Sequence, residues 1–216
     1  MAMRKEASDA ELVRLSRNGD LAAFDALVRR HETRAISLAY RMLGDLDAAH
    51  DAAQEAFVAA WRSLGKFQEQ STFSTWLYRI LHNACLDSLR RRGRRGEVSL
   101  DEGNDEERAI PEPADPGLGP DGEAERGETR DLVHRALVRL SPHHRELLIL
   151  FDIEGMSYEE ICKVVGLPMG TVKSRLNRAR HALRHQLAPL LEQQRVNRGH
   201  RDAGESDAGR GTRHDM

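Results

Sequence analysis

Cysteine is scarce in this chain of 216 residues: only Cys85 and Cys162 occur. Neither has a second cysteine nearby, which excludes a zinc knuckle or a CxxC redox pair. Both lie within apolar helical patterns and are expected to be buried small hydrophobes. No apolar run approaches the length of a membrane span, and the N-terminus MAMRKEASDAELVRL lacks the apolar core of a secretory signal. The expectation is a cytoplasmic chain that does not insert into membranes. A Walker A loop, an HExxH pair and a complete metal-ligand cluster are also missing, so no enzyme chemistry, metal or cofactor is expected.

A strong excess of either charge sign is absent too. The formal net charge is -2, which on average argues against a nucleic-acid partner. The average hides a segregation. Lys and Arg number 16 against 12 Asp and Glu in residues 1–95, 2 against 12 in 96–128, 10 against 7 in 129–192, and 5 against 4 in 193–216. Two mildly basic blocks therefore flank an acidic segment rich in Pro and Gly. That segment has too few large apolar side chains to offset the entropy of ordering it and reads as a flexible linker. The tail beyond 193 shows no core-forming pattern and is expected to be disordered.

The first block, 1–95, has no convincing strand alternation and no proline, and repeats Leu, Ala and Phe at helical spacing. Four helices are expected: a short one from Asp9 to about Asn18, a long one with Phe24, Leu27, Ile36, Ala39 and Met42 inward, a third starting near Asp47 with Ala53, Phe57, Ala60 and Trp61 as its stripe, and a fourth capped by Ser74. In the fourth, Leu77, Ile80, Leu81, Ala84 and Ser88 form the packing face. Arg79, Asn83, Asp87 and Arg90 share a polar one. Two readings of that polar face stand side by side: a solvated ladder from Arg79 through Asn83 to Asp87, or a binding surface. Trp76 and Tyr78 are core aromatics in the first reading. The second gains from the adjoining loop FQEQST and the closing arginine run. Melted DNA is a ligand that uses polar loop groups for base edges, rings for stacking and arginines for the backbone.

The second block, 129–192, has a sharper pattern. Ser157 and Glu160 fit a capping box opening a short helix with Ile161 and Val165 inward; Gly166 suits the reversal, and Leu167 with Val172 ties it to the next helix. That helix starts at Gly170 or Thr171 and buries Val172, Leu176, Ala179 and Leu183. Lys173, Ser174, Asn177, Arg178 and Arg175 are left near its outward start. This is the pattern of a helix-turn-helix whose recognition helix enters the major groove, with Asn177 able to bond an adenine bidentately. A helical hairpin with a solvated basic face is the alternative.

Taken together, the two blocks resemble the sigma-70 family, in particular the small extracytoplasmic-function (ECF) sigma factors of bacteria. DAAQEAF resembles the family's core-polymerase-binding motif, FSTWLYRILHNACLD its promoter-melting segment, and LSPHHRELLILFDIEGMSYEEICKVVGLPMGTVKSRLNRAR its region 4. The resemblance implies an all-α protein of two small helical domains, region 2 and region 4, joined by the acidic linker. It implies that Asp51, Gln54, Glu55 and Phe57 meet core RNA polymerase. Phe67, Gln68, Glu69, Gln70, Ser71, Thr72 and Phe73 would frame a pocket for a flipped non-template base of the minus-ten element. Trp76, Tyr78, Arg79, Asn83 and Asp87 would lie beside that strand, and Arg90, Arg91 and Arg92 at upstream phosphates. Thr171, Lys173, Ser174, Arg175, Asn177 and Arg178 would face minus-thirty-five DNA.

The implied function is a dissociable initiation subunit of a bacterial stress response, associated with polymerase at the nucleoid when active and held in check by an anti-sigma factor. The acidic linker would either tether the blocks passively or occupy a positively charged polymerase channel. A conventional regulator that binds DNA through the helix-turn-helix alone is the rival reading.

Overall fold

Helix ends dictate much of the architecture, because each helix leaves unpaired backbone groups that a local side chain or turn must satisfy. The computed structural model describes residues 7–94 and 120–208. Helix α1, Asp9–Arg17, opens with a capping box in which Ser8 accepts from the Glu11 N–H and Glu11 accepts from the Ser8 N–H. Asp20 caps α2, Leu21–Leu43, and Gly44 closes it in the left-handed region at φ 72°. Asp45 caps α3, Leu46–Ser63. A 3-10 turn, Leu64–Lys66, leads through a polar loop into α4, Phe73–Arg94. The fourth cap is Thr72 rather than the expected Ser74: its hydroxyl accepts the Thr75 N–H at 3.1 Å, so the helix starts earlier.

The second block begins with α5, Pro120–Val138, then α6, Pro142–Leu148, a π turn at Ile149–Ile153, α7, Tyr158–Val165, and α8, Met169–Ala208. Helix α5 begins within the segment read as linker, at Pro120, where a proline at the first helical position costs no hydrogen bond; residues 95–119 lie outside the described residues. Helix α8 runs on to Ala208, into the segment read as a tail, since extending an existing helix needs no new nucleus. Residues 209–216 lie outside the described residues.

Leu12, Leu27, Leu38, Met42, Leu77 and Leu81 fill the first block and Leu137, Leu147, Leu148, Ile149, Ile161 and Leu176 the second, all below 2 % exposure or at it. Each contributes about 1.5–3 kcal/mol of burial. The core does not stop at the block boundary. One apolar cluster runs through both, with α7 lying on α4 and α5 on α2. An acidic linker that fixes no distance did not foretell this direct docking. Cys85 is fully buried, and burial pushes its thiol up to about 12; Cys162 is half-buried.

Candidate nucleic-acid interface

Helix α3 presents Asp51, Gln54 and Glu55 to solvent while Ala52, Ala53, Ala56 and Phe57 pack inward. Phe57, 7 % exposed, packs inward and fixes the helix whose other side is acidic. Across from this face stands the arginine run. Arg90 pairs with Asp87 at 3.0 Å, Arg91 with Glu55 at 3.4 Å and Arg92 with Asp45 at 3.0 Å. These pairs are largely solvent-exposed and individually worth little, so a phosphate can displace the carboxylates at small cost. Arg79 and Asn83 are exposed with Asp87 and Arg90 along one side of α4, as the spacing predicted. Asp87 bonds Arg90 rather than continuing a ladder from Asn83.

The loop before α4 rests on an aromatic floor. Phe67 and Phe73 are buried, and Trp76, half-buried, lies 4.9 Å from the first ring and 5.9 Å from the second. Above the floor Gln68, Glu69, Gln70 and Thr72 are exposed and Ser71 is half-buried. The two phenylalanines thus support the loop from beneath and offer no free ring. Glu69 adopts φ 57°, a left-handed conformation uncommon outside glycine. The residue that holds it was missed in the sequence: Arg17 of α1 donates to Glu69 Oε1 at 3.0 Å and to Leu64 O at 3.2 Å, with its guanidinium 5.9 Å from the Phe67 ring centroid. No spacing rule links positions 17 and 69, so only the fold reveals it.

Tyr78 is buried as well. It is 2 % exposed and faces the second block, its hydroxyl 3.5 Å from Glu154 Oε2 and Arg34 above its ring. Burial, aided by the Glu154 charge, raises its phenol well above the ordinary range. In this arrangement it offers no ring to a base.

In the second block Ser157 and Glu160 form the expected capping box, and Gly166 turns the chain at φ 69°. The Ser157 backbone and hydroxyl bonds hold the Glu160 carboxyl below its usual range. Val164 rather than Val165 is the buried partner of Ile161. Helix α8 starts at Met169, one residue before the expected Gly170, and buries Val172, Leu176 and Ala179, leaving Lys173, Ser174, Asn177 and Arg178 exposed and Thr171 and Arg175 half-buried. Ser174 Oγ donates to Thr171 O at 3.1 Å, and the Lys173 ammonium sits 5.1 Å from the Tyr158 ring centroid. Behind this surface Arg180 grips both carboxylate oxygens of Asp152, at 2.6 and 3.2 Å, and locks α8 to the π turn. Among the described residues no side-chain group suits a metal ion, and no helix is long and apolar enough to cross a membrane.

Comparison with known proteins places both blocks. Residues 27–95 match the family model for Sigma-70 region 2, and residues 130–183 that for Sigma-70, region 4. The RNA polymerase sigma-H factor of Pseudomonas aeruginosa is 38 % identical over 192 residues, covering 88 % of this chain and all of the relative. The ECF RNA polymerase sigma-E factor of Escherichia coli K12 is 36 % identical over 194 residues, covering 88 % and 99 %. Among solved structures, CnrH in complex with the cytosolic domain of CnrY superposes with a TM-score of 0.58 at 30 % identity, covering 82 % of this chain and 94 % of that one. The sigma factor RpoE in complex with the anti-sigma factor NepR, from Bartonella quintana, gives 0.59 at 28 % identity, covering 76 % and 96 %. The chain therefore belongs to the sigma-70 family, as an ECF-type sigma factor that directs RNA polymerase to specific promoters.

Proposed function

We propose that its three exposed polar surfaces divide the work of initiation. The α3 face of Asp51, Gln54 and Glu55 binds core RNA polymerase. The α8 face of Lys173, Ser174, Asn177 and Arg178, flanked by Thr171 and Arg175, enters the minus-thirty-five major groove. The loop from Gln68 to Thr72, with Trp76, Arg79, Asn83 and Asp87, takes the unpaired minus-ten strand, and Arg90 to Arg92 meet its upstream phosphates. The observation that carries this reading is the unbroken polar strip from the loop down one side of α4, set on a rigid aromatic floor. Interactions made only with an unpaired strand shift the duplex toward its open form. Nucleotidyl transfer belongs to the polymerase.

Two structural relatives are bound to other proteins, one of them an anti-sigma factor. That supports a reading in which an anti-sigma factor holds this chain inactive in the cytoplasm until a stress signal releases it to polymerase at the nucleoid.

Run-off transcription with purified core polymerase tests the proposal: promoter-specific starts are expected, and their absence overturns it. In the same assay Asp51→Lys/Glu55→Lys places two cations where two acids face a basic partner. It is expected to weaken core binding at least about tenfold in a titration, since like-charge juxtaposition costs several kcal/mol. A second variant, Arg17→Ala, frees Glu69 to leave its strained conformation. Minus-ten discrimination is expected to fall roughly threefold through lost preorganisation, with core affinity unchanged. Glu69→Gln should reproduce that loss, and the double variant should lose no more than either single one.

A further inference from the structure

Two rings and two cations alternate along one edge of region 4. The Lys173 ammonium stands 5.1 Å from the Tyr158 ring centroid, Tyr158 lies 4.7 Å from Phe151, and the Arg180 guanidinium sits 5.2 Å from the Phe151 centroid. Asp152 closes the row by holding Arg180 through two hydrogen bonds, at 2.6 and 3.2 Å. Both rings are half-buried, and both precede α8: Phe151 belongs to the π turn and Tyr158 is the first residue of α7. The row therefore ties the π turn and the start of α7 to one side of the recognition helix.

Helical rotation says which side. At about 100° per residue, Val172, Leu176 and Ala179 point into the core, and Lys173 and Arg180 fall on the flank directly beside that stripe. Ser174, Asn177 and Arg178 fall on the crest opposite the core, where all three are exposed; Thr171 and Arg175, half-buried, take the far flank. In a helix-turn-helix the recognition helix turns its crest to base edges, while the helix before it crosses the DNA backbone. The Lys173 ammonium leans over the start of that preceding helix and away from the crest. The two cations of the row also differ in what they have left to give. Arg180 is neutralised by Asp152. Lys173 has no carboxylate partner among the described residues, and a ring face holds an ammonium without cancelling its charge.

We propose that Tyr158 is a positioning residue that holds Lys173 as a phosphate anchor and withdraws it from base reading. Ser174, Asn177 and Arg178 are then left to read the minus-thirty-five bases. A lysine on a free stem spreads its charge over many rotamers, and ordering such a side chain on binding is unfavourable. The Tyr158 ring removes part of that cost before DNA arrives. Phe151 gives this ring a neighbour to rest on, and the Arg180–Asp152 pair fixes Phe151 in turn. The ring face, rather than the hydroxyl, does the holding.

This inference rests on the reading of α8 as the minus-thirty-five surface, and its test separates the two. Proton NMR of the free full-length chain reads the contact directly. The Lys173 ε-methylene resonance is expected upfield of an unstacked lysine's, to keep that shift in Tyr158→Phe and to lose it in Tyr158→Leu. Holoenzyme binding to promoter duplex reads the consequence. Tyr158→Leu is expected to weaken binding about two- to fivefold, the scale of an exposed cation–π contact. The loss should be the same for consensus and substituted minus-thirty-five sequences and the same at every salt concentration, because the phosphate contact is still made. Tyr158→Phe should bind as the wild type does. Lys173→Met should also weaken binding evenly across sequences, but its deficit should shrink roughly 3.5-fold between about 50 and 200 mM salt, as one phosphate contact leaves the slope. In that background Tyr158→Leu should cost nothing further, whereas damage to the packing of α7 would still show. An unshifted wild-type resonance overturns the positioning role, as does a loss in Tyr158→Phe equal to that in Tyr158→Leu, or a full Tyr158→Leu loss in the Lys173→Met background. A change of base preference in Lys173→Met overturns its assignment to the backbone. If Lys173→Met and Asn177→Ala both bind every promoter as the wild type does, the reading of α8 fails and the phosphate role with it, while the methylene resonance still decides whether the ring holds the lysine.

Discussion

Asn83→Ala in the assembled holoenzyme is expected to lower the preference for the correct minus-ten base by roughly 5- to 150-fold, the equivalent of about 1–3 kcal/mol for a well-formed side-chain pairing with a base. Asn83 sits midway along the exposed strip of α4, between Arg79 and Asp87 and downstream of the loop that Arg17 holds. Its carboxamide supplies both donor and acceptor, which the Watson–Crick edge of an extruded base can use once the pairing partner has gone. Alanine removes both groups without disturbing α4, since the site is exposed and alanine favours helix. Competition between fork-junction probes with the consensus and a substituted base measures the preference. Core affinity should stay within about twofold, because the α3 acids lie on another helix. Loss of core binding in proportion to loss of discrimination would refute the assignment.

The capping box and glycine turn of region 4 were legible because each is settled within a few residues, whereas the α4 cap, Thr72, was read two residues late as Ser74. Ser157 and Glu160 specify a helix start whatever surrounds them, and Gly166 permits a backbone conformation that other residues resist. The outward set on α8 was legible for the same reason: once Val172, Leu176 and Ala179 are placed inward, Lys173, Ser174, Asn177 and Arg178 have only one side left. Helix α4 was harder. Its spacing gave one apolar stripe through Leu77, Ile80, Leu81 and Ala84, yet the buried positions are Phe73, Thr75, Leu77, Tyr78, Leu81, His82 and Cys85. A helix covered by its own domain on one side and by region 4 on the next carries a stripe wider than any single period reports. Polar residues then count as buried, and their partners, Glu146 for His82 and Glu160 for Thr75, lie 64 and 85 positions away. The same distance hid Arg17. Charge pairing across a fold leaves no periodic trace.

Arg145→Met is expected to destabilise region 4 by about 3–5 kcal/mol, the scale for stripping a buried charge from its hydrogen-bond partners. Arg145 is 5 % exposed and, among the described residues, forms no ion pair with a carboxylate. Its guanidinium instead donates to Leu137 O at 2.9 Å, to Leu140 O at 3.1 Å, to Val138 O, and across the domain boundary to Met42 O. These carbonyls close the C-terminal ends of α5 and α2, where helix dipoles point negative and the last acceptors lack helical donors. Burial pulls the guanidinium down to about 10, so it remains charged at neutral pH and all its donors stay in use. Methionine matches the length of the stem and fills much of the space, but leaves those acceptors dry and unpaired. Arg145→Lys should recover only part of the loss, since one ammonium cannot reproduce the planar fork. The chain offers a built-in separation of signals: both tryptophans, Trp61 and Trp76, lie in region 2. Far-UV ellipticity should show an early thermal transition at least about 10 °C below that of the wild type. Tryptophan fluorescence should move far less, by the share of stability that the Met42 contact and the docking lend to region 2. A single unshifted transition in both signals would mean that water or a rearranged turn replaces the guanidinium at little cost, and that Arg145 does not hold the junction together.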